Sequence, residues 1–285
     1  MQIERLNEIF RAKLSDDDFK RLSDFIYSHY GIKMPPVKKI MLQSRLQKRL
    51  RELNITTFKD YVEFVFSPEG QDNEVIHMID VVSTNKTDFF REPVHFEYLT
   101  DVVIPAYAAS NPRMPLTIWS AGCSSGEEPY TIAITIEEAK QKYPNIDYTI
   151  LGTDISTRIL KSAHEAIYKE NRVEGIPISI LKKYFLRSKD RSNPTVRVIP
   201  ELRRKVSFGR LNFMDNYYQV QENFDVIFCR NVLIYFDRET QEKVISKLCS
   251  KLKPGGHFFL GHSESITGMH LPLKQIKPTI FSKIE

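Results

Sequence analysis

The sequence predicts an α/β protein in which a doubly wound parallel sheet follows an N-terminal α-helical domain and contains a small antiparallel β insert. Three observations predict this fold. Residues 1 to about 78 show apolar residues at helical spacing only. From residue 116 onward, short apolar runs alternate with helical segments, as in βαβ units. Residues 168–210 interrupt that alternation with short strand-like stretches around a polar turn.

The composition excludes several classes of protein. Hydrophobic residues make up 41% and charged residues 27% of the 285 residues, and the net charge of +5 is too small to indicate general nucleic-acid binding. The N-terminus is charged throughout, without the apolar run of a secretory leader, and no apolar run is long enough to span a membrane. The cysteines are odd in number and lack metal-ligand spacing, so we expect a protein of the reducing cytoplasm.

The N-terminal domain is predicted to contain four helices. Ser15 can cap the first, because acidic residues follow it directly, and Gly31 can end it. Thr57 resembles a capping residue for the third, with an acid three positions later. Residues 67–70 are predicted to form a turn before the fourth. The predicted ranges are residues 16–30, 35–53, 57–66 and about 73–82.

The second of these helices is strongly basic. Apart from Glu52, the charged residues on it are all positive. Most charge runs of this kind are solvated faces, and from the residues alone we favour that interpretation. The alternative is a docking surface that attracts an acidic partner. The basic residues are Lys38, Lys39, Arg45, Lys48, Arg49 and Arg51.

The segment 83–93 admits two interpretations. Asn85 and Thr87 occupy alternate positions, and Arg91 follows a pair of phenylalanines. The segment is either a helix cap followed by a buried aromatic pair, or a linker that lies across a ligand site and points polar groups into it. A helix from about residue 93 to 109 then leads into the first strand.

The stretch 116–130 predicts a strand, a tight loop and the start of a helix. Small residues between Trp119 and Glu127 let the backbone approach a ligand, and the helix N-terminus offers free N–H groups. The acids Glu127 and Glu128 suit the helix dipole but would repel a pyrophosphate. A positively charged ligand without phosphate therefore fits this loop better than a dinucleotide.

Later strands end at further candidate residues. The strand 148–154 ends in Asp154, which could bind ribose hydroxyls or cap the following helix; its position favours the ribose role. The apolar strand 224–229 is followed by Arg230 at the carboxyl end of the sheet, where ligands bind. The remaining predicted elements are a helix at 238–252 and strands at 206–211, 257–261 and 279–283, the last of which is predicted to pair antiparallel at the end of the sheet.

The predicted β insert, about residues 180–205, is basic. Between residues 168 and 210 there are twelve Lys and Arg against four Asp and Glu, a net charge of +8 that exceeds the +5 of the whole chain. Such a segment is either a soluble loop or a binding face. The concentration of charge makes a binding face at least as well supported.

The sequence lacks the motifs of several catalytic classes. Its histidines form neither H-x-H nor H-E-x-x-H patterns, so no metal site is predicted. A nucleophilic serine elbow and the G-K-[ST] of a phosphate-binding loop are also absent. Cys123 and Cys229 have no neighbouring histidine in sequence, and packing is the expected role of both.

A series of motifs runs through most of the chain. They are NKTDFFRE (85–92), WSA (119–121), SGEEPY (125–130), TDI (153–155), FCRNV (228–232), IYFD (234–237), LKPGG (252–256) and GHSE (261–264). In this order they resemble the CheR family, the chemotaxis receptor glutamate O-methyltransferases. The resemblance implies a Rossmann-like class I methyltransferase sheet, with the N-terminal helical domain at 1–78 and the methyltransferase domain at 79–285. It also implies methyl transfer from S-adenosylmethionine to receptor glutamate side chains, with S-adenosylhomocysteine as product.

The resemblance implies roles for individual residues. Glu128 would lie in the cofactor site, and Asp154 would bind the ribose. Arg91 and Tyr235 would lie nearest the transferred methyl group as the catalytic residues, and Arg91 would also contact the cofactor. No metal is implied. The other implied cofactor-binding residues are Asn85 and Thr87 from the linker and Asn212, Phe213, Arg230 and Asn231 from the sheet.

Partners are implied as well. The basic second helix would meet the glutamate-rich helices of the receptor, and in some relatives the β insert captures a receptor C-terminal peptide by strand addition. We expect a monomeric cytoplasmic enzyme that is recruited to membrane receptor clusters. Neither nucleic-acid binding nor membrane insertion is expected.

Two other functions compete with this one. A nucleic-acid methyltransferase, acting for example on rRNA, would account for the basic insert. Amino-methylating enzymes of that class usually carry D/N-P-P-Y/F/W where this chain has CRNV (229–232). A non-catalytic scaffold would be expected to lack Arg91, Asp154 or Tyr235, and all of them are present.

Overall fold

The computed structural model describes residues 8–110 and 113–284, and its N-terminal part is a helical domain. Leu22, Leu42 and Leu50 are fully buried in a core that this domain forms by itself, because apolar residues recur along one face of each helix. The helices are α1 (Asp16–Tyr30), α2 (Lys39–Leu53), α3 (Phe58–Phe66) and α4 (Pro68–Val82), with a 3-10 turn at Pro36–Lys38 before α2.

Side-chain caps determine where these helices begin. Ser15 accepts a hydrogen bond from a backbone N–H at the start of α1, and Thr57 does so for α3, as predicted. Ser67 accepts from the backbone N–H of Gly70, and Pro68 occupies the first helical position of α4. The prediction of a turn at residues 67–70 is therefore wrong. Because α4 continues to Val82, a domain boundary at residue 78 would fall inside this helix.

The stretch predicted as one helix before the sheet is helical throughout residues 94–109, as expected, but it contains a π-helical turn in its middle. α5 (Val94–Tyr98) and α6 (Ile104–Ala109) are joined by a π-helical turn at Leu99–Val103. Leu99 is fully buried against the sheet. The later helices are α7 (Glu127–Ala139), α8 (Thr157–Glu165), α9 (Ile178–Tyr184), α10 (Pro200–Arg203) and α11 (Arg238–Ser250). None of the helices within the described ranges is long and apolar enough to cross a membrane.

The strands form a large and a small sheet. In chain order they are β1 (Leu116–Ala121), β2 (Tyr148–Asp154), β3 (Ile167–Lys169), β4 (Phe185–Arg187), β5 (Thr195–Val198), β6 (Val206–Arg210), β7 (Phe224–Cys229), β8 (Leu252–Leu260), β9 (Leu273–Lys277) and β10 (Ile280–Lys283). The large sheet has seven strands in the order β6-β2-β1-β7-β8-β10-β9. The first five of these are parallel, and β10 is antiparallel to both of its neighbours.

The end of the large sheet differs from the prediction. β10 is antiparallel, as expected, but it lies between β8 and β9, so β9 forms the edge. β9 is mostly exposed and carries lysines, which is common on edge strands and leaves only a weak apolar pattern. The strand order reverses beside β1, with β2 on one side and β7 on the other. Such a reversal opens a crevice at the carboxyl ends of the strands.

The small sheet is the predicted antiparallel insert, in the order β3-β5-β4. The predicted range 180–205 contains β4 and β5, but β3 lies earlier, and residues 200–203 form a short helix. The three residues of β3 are too few to show a strand pattern in the sequence. Tyr168 of β3 is buried, and its hydroxyl donates to the carbonyl of Ser125 (2.8 Å), which joins the insert to the loop after β1.

Candidate functional site

A cavity of about 360 Å³ lies at the carboxyl ends of β1, β2, β6 and β7, beneath the N-terminal domain. All of the residues predicted for the cofactor and for catalysis line it, so the structure brings them together. Their individual roles stay predictions. The predicted residues that line the cavity are Asn85, Thr87, Arg91, Glu128, Asp154, Asn212, Phe213, Arg230, Asn231 and Tyr235.

The loop after β1 can adopt its shape only with glycine at two positions. Gly122 and Gly126 have φ angles of +90° and +92°. A Cβ atom on Gly122 would lie 2.4 Å from a methyl carbon of Val232, and one on Gly126 would lie 3.0 Å from the side chain of Ala163. Glycine permits both the left-handed backbone and the close approach. The backbone of this loop therefore lines the cavity.

Asp154 connects this loop to the end of β2. It is buried, and its two carboxylate oxygens accept hydrogen bonds from the backbone N–H groups of Ser124 (2.9 Å) and Ser156 (3.0 Å). Burial raises the pKa of Asp154, while these N–H groups act in the opposite direction. The cap of α8 is Ser156, which accepts from the N–H of Ile159, so capping is not the role of Asp154. Its remaining lone pairs are available to a hydroxyl in the cavity.

Glu128 and Arg230 form an ion pair at the back of the cavity. Glu128 accepts a hydrogen bond from the hydroxyl of Ser120 (2.7 Å) and lies 2.9 Å from the Nε of Arg230. Burial raises the pKa of Glu128, and the Arg230 charge partly offsets this. The two terminal nitrogens of Arg230 contact the Nδ1 of His95 (2.8 Å) and the carbonyl of Arg91 (2.6 Å). Both terminal nitrogens of the Arg230 guanidinium therefore have partners within the protein, while its Nε lies near Glu128 without forming a hydrogen bond.

Arg91 differs from Arg230 in having a charge that the protein leaves available. Its guanidinium donates one hydrogen bond, to the carbonyl of Lys86 (3.1 Å). Within residues 8–110 and 113–284, no carboxylate forms an ion pair with it. A guanidinium in this state can bind a carboxylate that enters the cavity.

The linker at 83–93 lies across the cavity, as the second interpretation predicted. Phe90 and Glu92 have φ angles of +54° and +59°, which cost free energy in residues with side chains. The backbone N–H of Phe90 donates to the hydroxyl of Thr131 on α7 (3.1 Å). Arg172, from the insert, donates to the carbonyl of Thr87 and pairs with buried Glu127 (2.7 Å). Contacts with α7 and with the insert therefore hold the linker in its strained shape.

Glu264 belongs to the GHSE motif (261–264), but sequence reasoning gave it no role. Its carboxylate accepts hydrogen bonds from the backbone N–H groups of Asn231 (2.9 Å), Val232 (2.8 Å), Leu233 (2.7 Å) and Gly261 (2.7 Å). Asn231 has a φ angle of +58°. Glu264 therefore fixes the turn that presents the Asn231 and Tyr235 region to the cavity. The one sequence signal for this role of Glu264 was the position of an acid just beyond the end of β8.

The N-terminal domain supplies cavity residues that sequence reasoning also missed. Arg45 donates to the carbonyl of Val82 and to the hydroxyl of Thr84 (3.1 Å), which fastens the linker to α2. Contacts between two domains leave no periodic signal in a sequence. The additional residues from this domain that line the cavity are Tyr30, Ile32, Met34, Lys38, Met41, Arg45 and Val82.

Much of the positive charge on α2 is neutralised within the domain. Arg49 pairs with buried Glu74 (2.6 Å) and also with Glu52. Lys39 pairs with Asp16 (2.6 Å). With the inward contacts of Arg45, these pairs leave α2 with less free positive charge than either a solvated face or an electrostatic docking surface would have.

Cys123 and Cys229 have the surroundings expected of packing residues. Cys123 and Cys229 are buried, and burial raises the pKa of both thiols, which agrees with a packing role.

Among the described residues, Glu92, His95 and His262 lie close enough to share a metal ion. Both ring nitrogens of His95 already have partners, Arg230 at Nδ1 and the Thr279 hydroxyl at Nε2 (2.8 Å).

His95 predicts a pH dependence of stability. It is 1% exposed, and burial together with the Arg230 charge lowers its pKa from 6.5 to about 4. Between these values the unfolded chain binds a proton that the folded protein does not, so the free energy of unfolding falls as the pH falls through this window, by up to about 3 kcal/mol. His95→Asn keeps an acceptor for Arg230 and is expected to flatten this slope. Urea unfolding of both proteins between about pH 4 and about pH 7 measures the difference; equal slopes would contradict the assignment.

Comparisons with known proteins agree with the geometry. The family description "CheR methyltransferase, all-alpha domain" matches residues 17–83, and "CheR methyltransferase, SAM binding domain" matches residues 85–281. A chemotaxis protein methyltransferase of Borreliella burgdorferi is 37% identical over 274 residues, which cover 95% of each chain. One from Escherichia coli is 37% identical over 90% of this chain and 87% of the relative. Chemotaxis protein methyltransferase 2 of Pseudomonas aeruginosa is 35% identical over 93% and 92%, respectively.

Proposed function

Since the chain belongs to the CheR methyltransferase family, we propose that it methylates glutamate side chains of chemotaxis receptors, with S-adenosylmethionine as the methyl donor. The observation that carries this proposal is the convergence of the predicted residues on one cavity in which Arg91 has no carboxylate partner among the described residues. The products would be glutamyl methyl esters and S-adenosylhomocysteine.

The chemistry of the cavity fits the methyl donor. S-adenosylmethionine supplies a methyl group activated on a sulfonium cation, and it carries a ribose and no phosphate. Asp154 and Glu128 both line the cavity. Asp154 would accept hydrogen bonds from ribose hydroxyls, and Glu128, which Arg230 already pairs, would add negative charge that suits a cationic ligand. The volume of about 360 Å³ lies within the usual range for small-molecule sites.

The remaining site residues would act mainly by position. Arg230 would hold the Glu128 carboxylate and the Arg91 backbone, since its nitrogens contact both. Asn85 and Thr87, with Asn212, would shape the walls around the nucleoside. Tyr235 lies at the mouth of the cavity, where it would shape the methyl end and exclude water.

Methyl transfer to a carboxylate needs little acid–base catalysis. A glutamate side chain has a pKa near 4.3 and is already ionised at neutral pH. A carboxylate oxygen of the acceptor attacks the methyl carbon in line; the new O–C bond forms as the C–S bond breaks, and its electron pair stays on sulfur. The enzyme contributes orientation and exclusion of water. Arg91 would orient the acceptor through paired hydrogen bonds without neutralising it, because strong ground-state binding would lower its nucleophilicity.

The finer description of the partners is also a proposal. We infer a monomeric enzyme of the cytoplasm that is recruited to receptor clusters. The insert has two edge strands, β3 and β4, to which a receptor peptide could add a strand. Ile167 on β3 and Leu186 on β4 are exposed, so a peptide added at either edge would have an apolar neighbour.

Incubation with labelled S-adenosylmethionine tests the acceptor class. Receptor-containing membranes and purified rRNA are offered separately and in competition. We expect label on the receptor band alone, and an excess of RNA should leave it unchanged. Salt-sensitive incorporation into RNA, with unlabelled receptors, would favour a nucleic-acid methyltransferase instead.

A further inference from the structure

Glu92 follows Arg91 in the linker, but unlike Arg91 it does not line the cofactor cavity. Its carboxylate reaches the carboxyl edge of the large sheet instead. One oxygen accepts hydrogen bonds from the side-chain amide of Asn231 (3.3 Å) and from the backbone N–H of His262 (3.2 Å). Asn231 belongs to the turn after β7, and His262 belongs to the loop after β8. A single side chain therefore joins the linker to two loops at the edge of the sheet.

The two residues that meet in this contact both have a left-handed backbone. The φ angles of Glu92 and Asn231 are +59° and +58°. Such a conformation costs free energy in a residue with a side chain, and it persists only where neighbouring contacts fix it. Two carboxylates fix Asn231, because its backbone N–H donates to Glu264 (2.9 Å) and its amide donates to Glu92. The contact between the linker and the turn after β7 is thus strained on both sides.

The amide of Asn231 has little room to move. It lies against Gly261, where a Cβ atom would come within 2.5 Å of the amide nitrogen and within 2.8 Å of the Asn231 backbone nitrogen. Gly261 is itself held, since its N–H donates to Glu264 (2.7 Å). The amide is therefore confined between the backbone of Gly261 and the carboxylate of Glu92, which defines the position of Glu92 in turn.

Charge favours the same arrangement. The second oxygen of Glu92 is buried without a hydrogen bond among the described residues, and it lies 3.6 Å from the Nδ1 of His95, which contacts Arg230. Burial acts to raise the pKa of Glu92, but the Arg230 charge and the hydrogen bonds to the carboxylate outweigh it, so the pKa is lowered. Glu92 is therefore an anion at neutral pH, held near the cationic Arg230.

The main chain of Arg91 is fixed on its C-terminal side. Its carbonyl accepts a hydrogen bond from a terminal nitrogen of Arg230 (2.6 Å), and the next residue, Glu92, is anchored to the two loops. The Arg91 guanidinium donates one hydrogen bond among the described residues. The place of this guanidinium therefore depends on the backbone that carries it.

We propose that Glu92 is a positioning residue, which holds the guanidinium of Arg91 at a fixed place relative to Asn231 and hence to the methyl donor. This inference rests on the proposed function and names the residue through which Arg91 is placed. Arg91 and Asn231 both line the cavity, whereas Glu92 lies outside it and acts through them. In-line attack needs the acceptor oxygen close to the methyl carbon, and a displacement of about 1 Å can lower such a rate by about 100-fold. Loss of Glu92 therefore affects the chemical step more than binding.

The variant Glu92→Ala tests this role. We expect single-turnover methyl transfer at saturating receptor and cofactor to fall by about 30-fold. The KM for receptor and the dissociation constant for S-adenosylhomocysteine should stay within about threefold of wild type. Glu97→Ala is the matched control, because Glu97 is an exposed acid on α5 that does not line the cavity.

Two further substitutions of Glu92 examine the hydrogen bonds themselves. Glu92→Gln keeps an acceptor oxygen for both donors and should recover the rate to within about fivefold of wild type. Glu92→Asp keeps the charge but is too short to reach Asn231, and it should lose as much rate as Glu92→Ala. It also replaces Glu92→Ala in every comparison if that variant does not fold.

A double variant distinguishes positioning from a general loss of structure. Because Glu92 acts through Arg91, adding Glu92→Ala to Arg91→Ala should lower the rate by less than about threefold beyond Arg91→Ala alone. A purely structural role would multiply the two losses, in step with a lower melting temperature of each variant.

Two results would overturn the proposal. One is a wild-type rate in Glu92→Ala or Glu92→Asp. The other is a further loss of about 30-fold when Glu92→Ala is added to Arg91→Ala, since independent effects multiply. Failure of the proposed function would look different, because the wild-type enzyme itself would not methylate receptors.

Discussion

Arg91→Ala is expected to lower methyl transfer by about 100-fold or more, because the acceptor carboxylate loses the group that orients it. Arg91 lines the cavity and has no carboxylate partner among the described residues, so its charge is available to the substrate. The same residue contributes little to folding, since its guanidinium makes one hydrogen bond, to the Lys86 carbonyl. The free energy of unfolding should change by less than about 1 kcal/mol.

Single-turnover methylation with saturating cofactor measures the effect of Arg91 on the chemical step. Arg91→Lys keeps the charge but loses the paired geometry and should recover only part of the rate. Arg204→Ala is the control, since Arg204 is an exposed arginine paired with Glu201 outside the cavity. Comparable rates for Arg91→Ala and wild type would refute the role given to Arg91.

Asp154→Asn is expected to weaken S-adenosylhomocysteine binding by about 10- to 100-fold. Both oxygens of Asp154 accept backbone N–H groups, from Ser124 and from Ser156. An amide cannot satisfy both, because its NH₂ group would face one of these donors. The variant therefore loses charge-assisted acceptance toward the ribose and disturbs the loop after β1. Isothermal titration of the cofactor product measures the change.

The variant Asp80→Asn separates an effect on cofactor binding from an effect on the stability of α8. Asp80 lies on α4 and accepts from the hydroxyl of Thr157 (3.1 Å) at the start of α8, but it does not line the cavity. We expect Asp80→Asn to lower the melting temperature and to leave the affinity within about twofold of wild type. Equal loss of affinity in both variants would mean that Asp154 affects cofactor binding only by holding α8 in place.

The sequence allowed prediction of those site residues that follow parallel strands. Asp154 and Arg230 come directly at strand ends, and the carboxyl ends of parallel strands meet at one edge of a sheet. Arg91 and Asn85 were found through the family resemblance, and the alternation of polar residues only suggested a linker over a site. The convergence of these residues in one cavity is a property of the fold that no local pattern contains.

Other features depend on contacts between distant segments. Arg45 reaches the cavity because α2 packs over the linker, which the apolar stripe of α2 cannot indicate. Glu264 serves backbone groups some thirty residues away in sequence. The position of β10 between β8 and β9 depends on an edge strand that is mostly exposed. In each case contacts between distant segments determine the position of the residue or strand, and local secondary-structure propensity does not.

The most direct test of the account is the chemical linkage of the transferred methyl group. Receptor-containing membranes are labelled with methyl-labelled S-adenosylmethionine and then treated with alkali, and the volatile label is counted. Ester formation on a carboxylate predicts that alkali releases the receptor label as methanol, and that Arg91→Ala and Asp154→Asn give far less of it than wild type. Label that stays on the receptor in alkali, or that appears on RNA instead, would contradict carboxylate methylation.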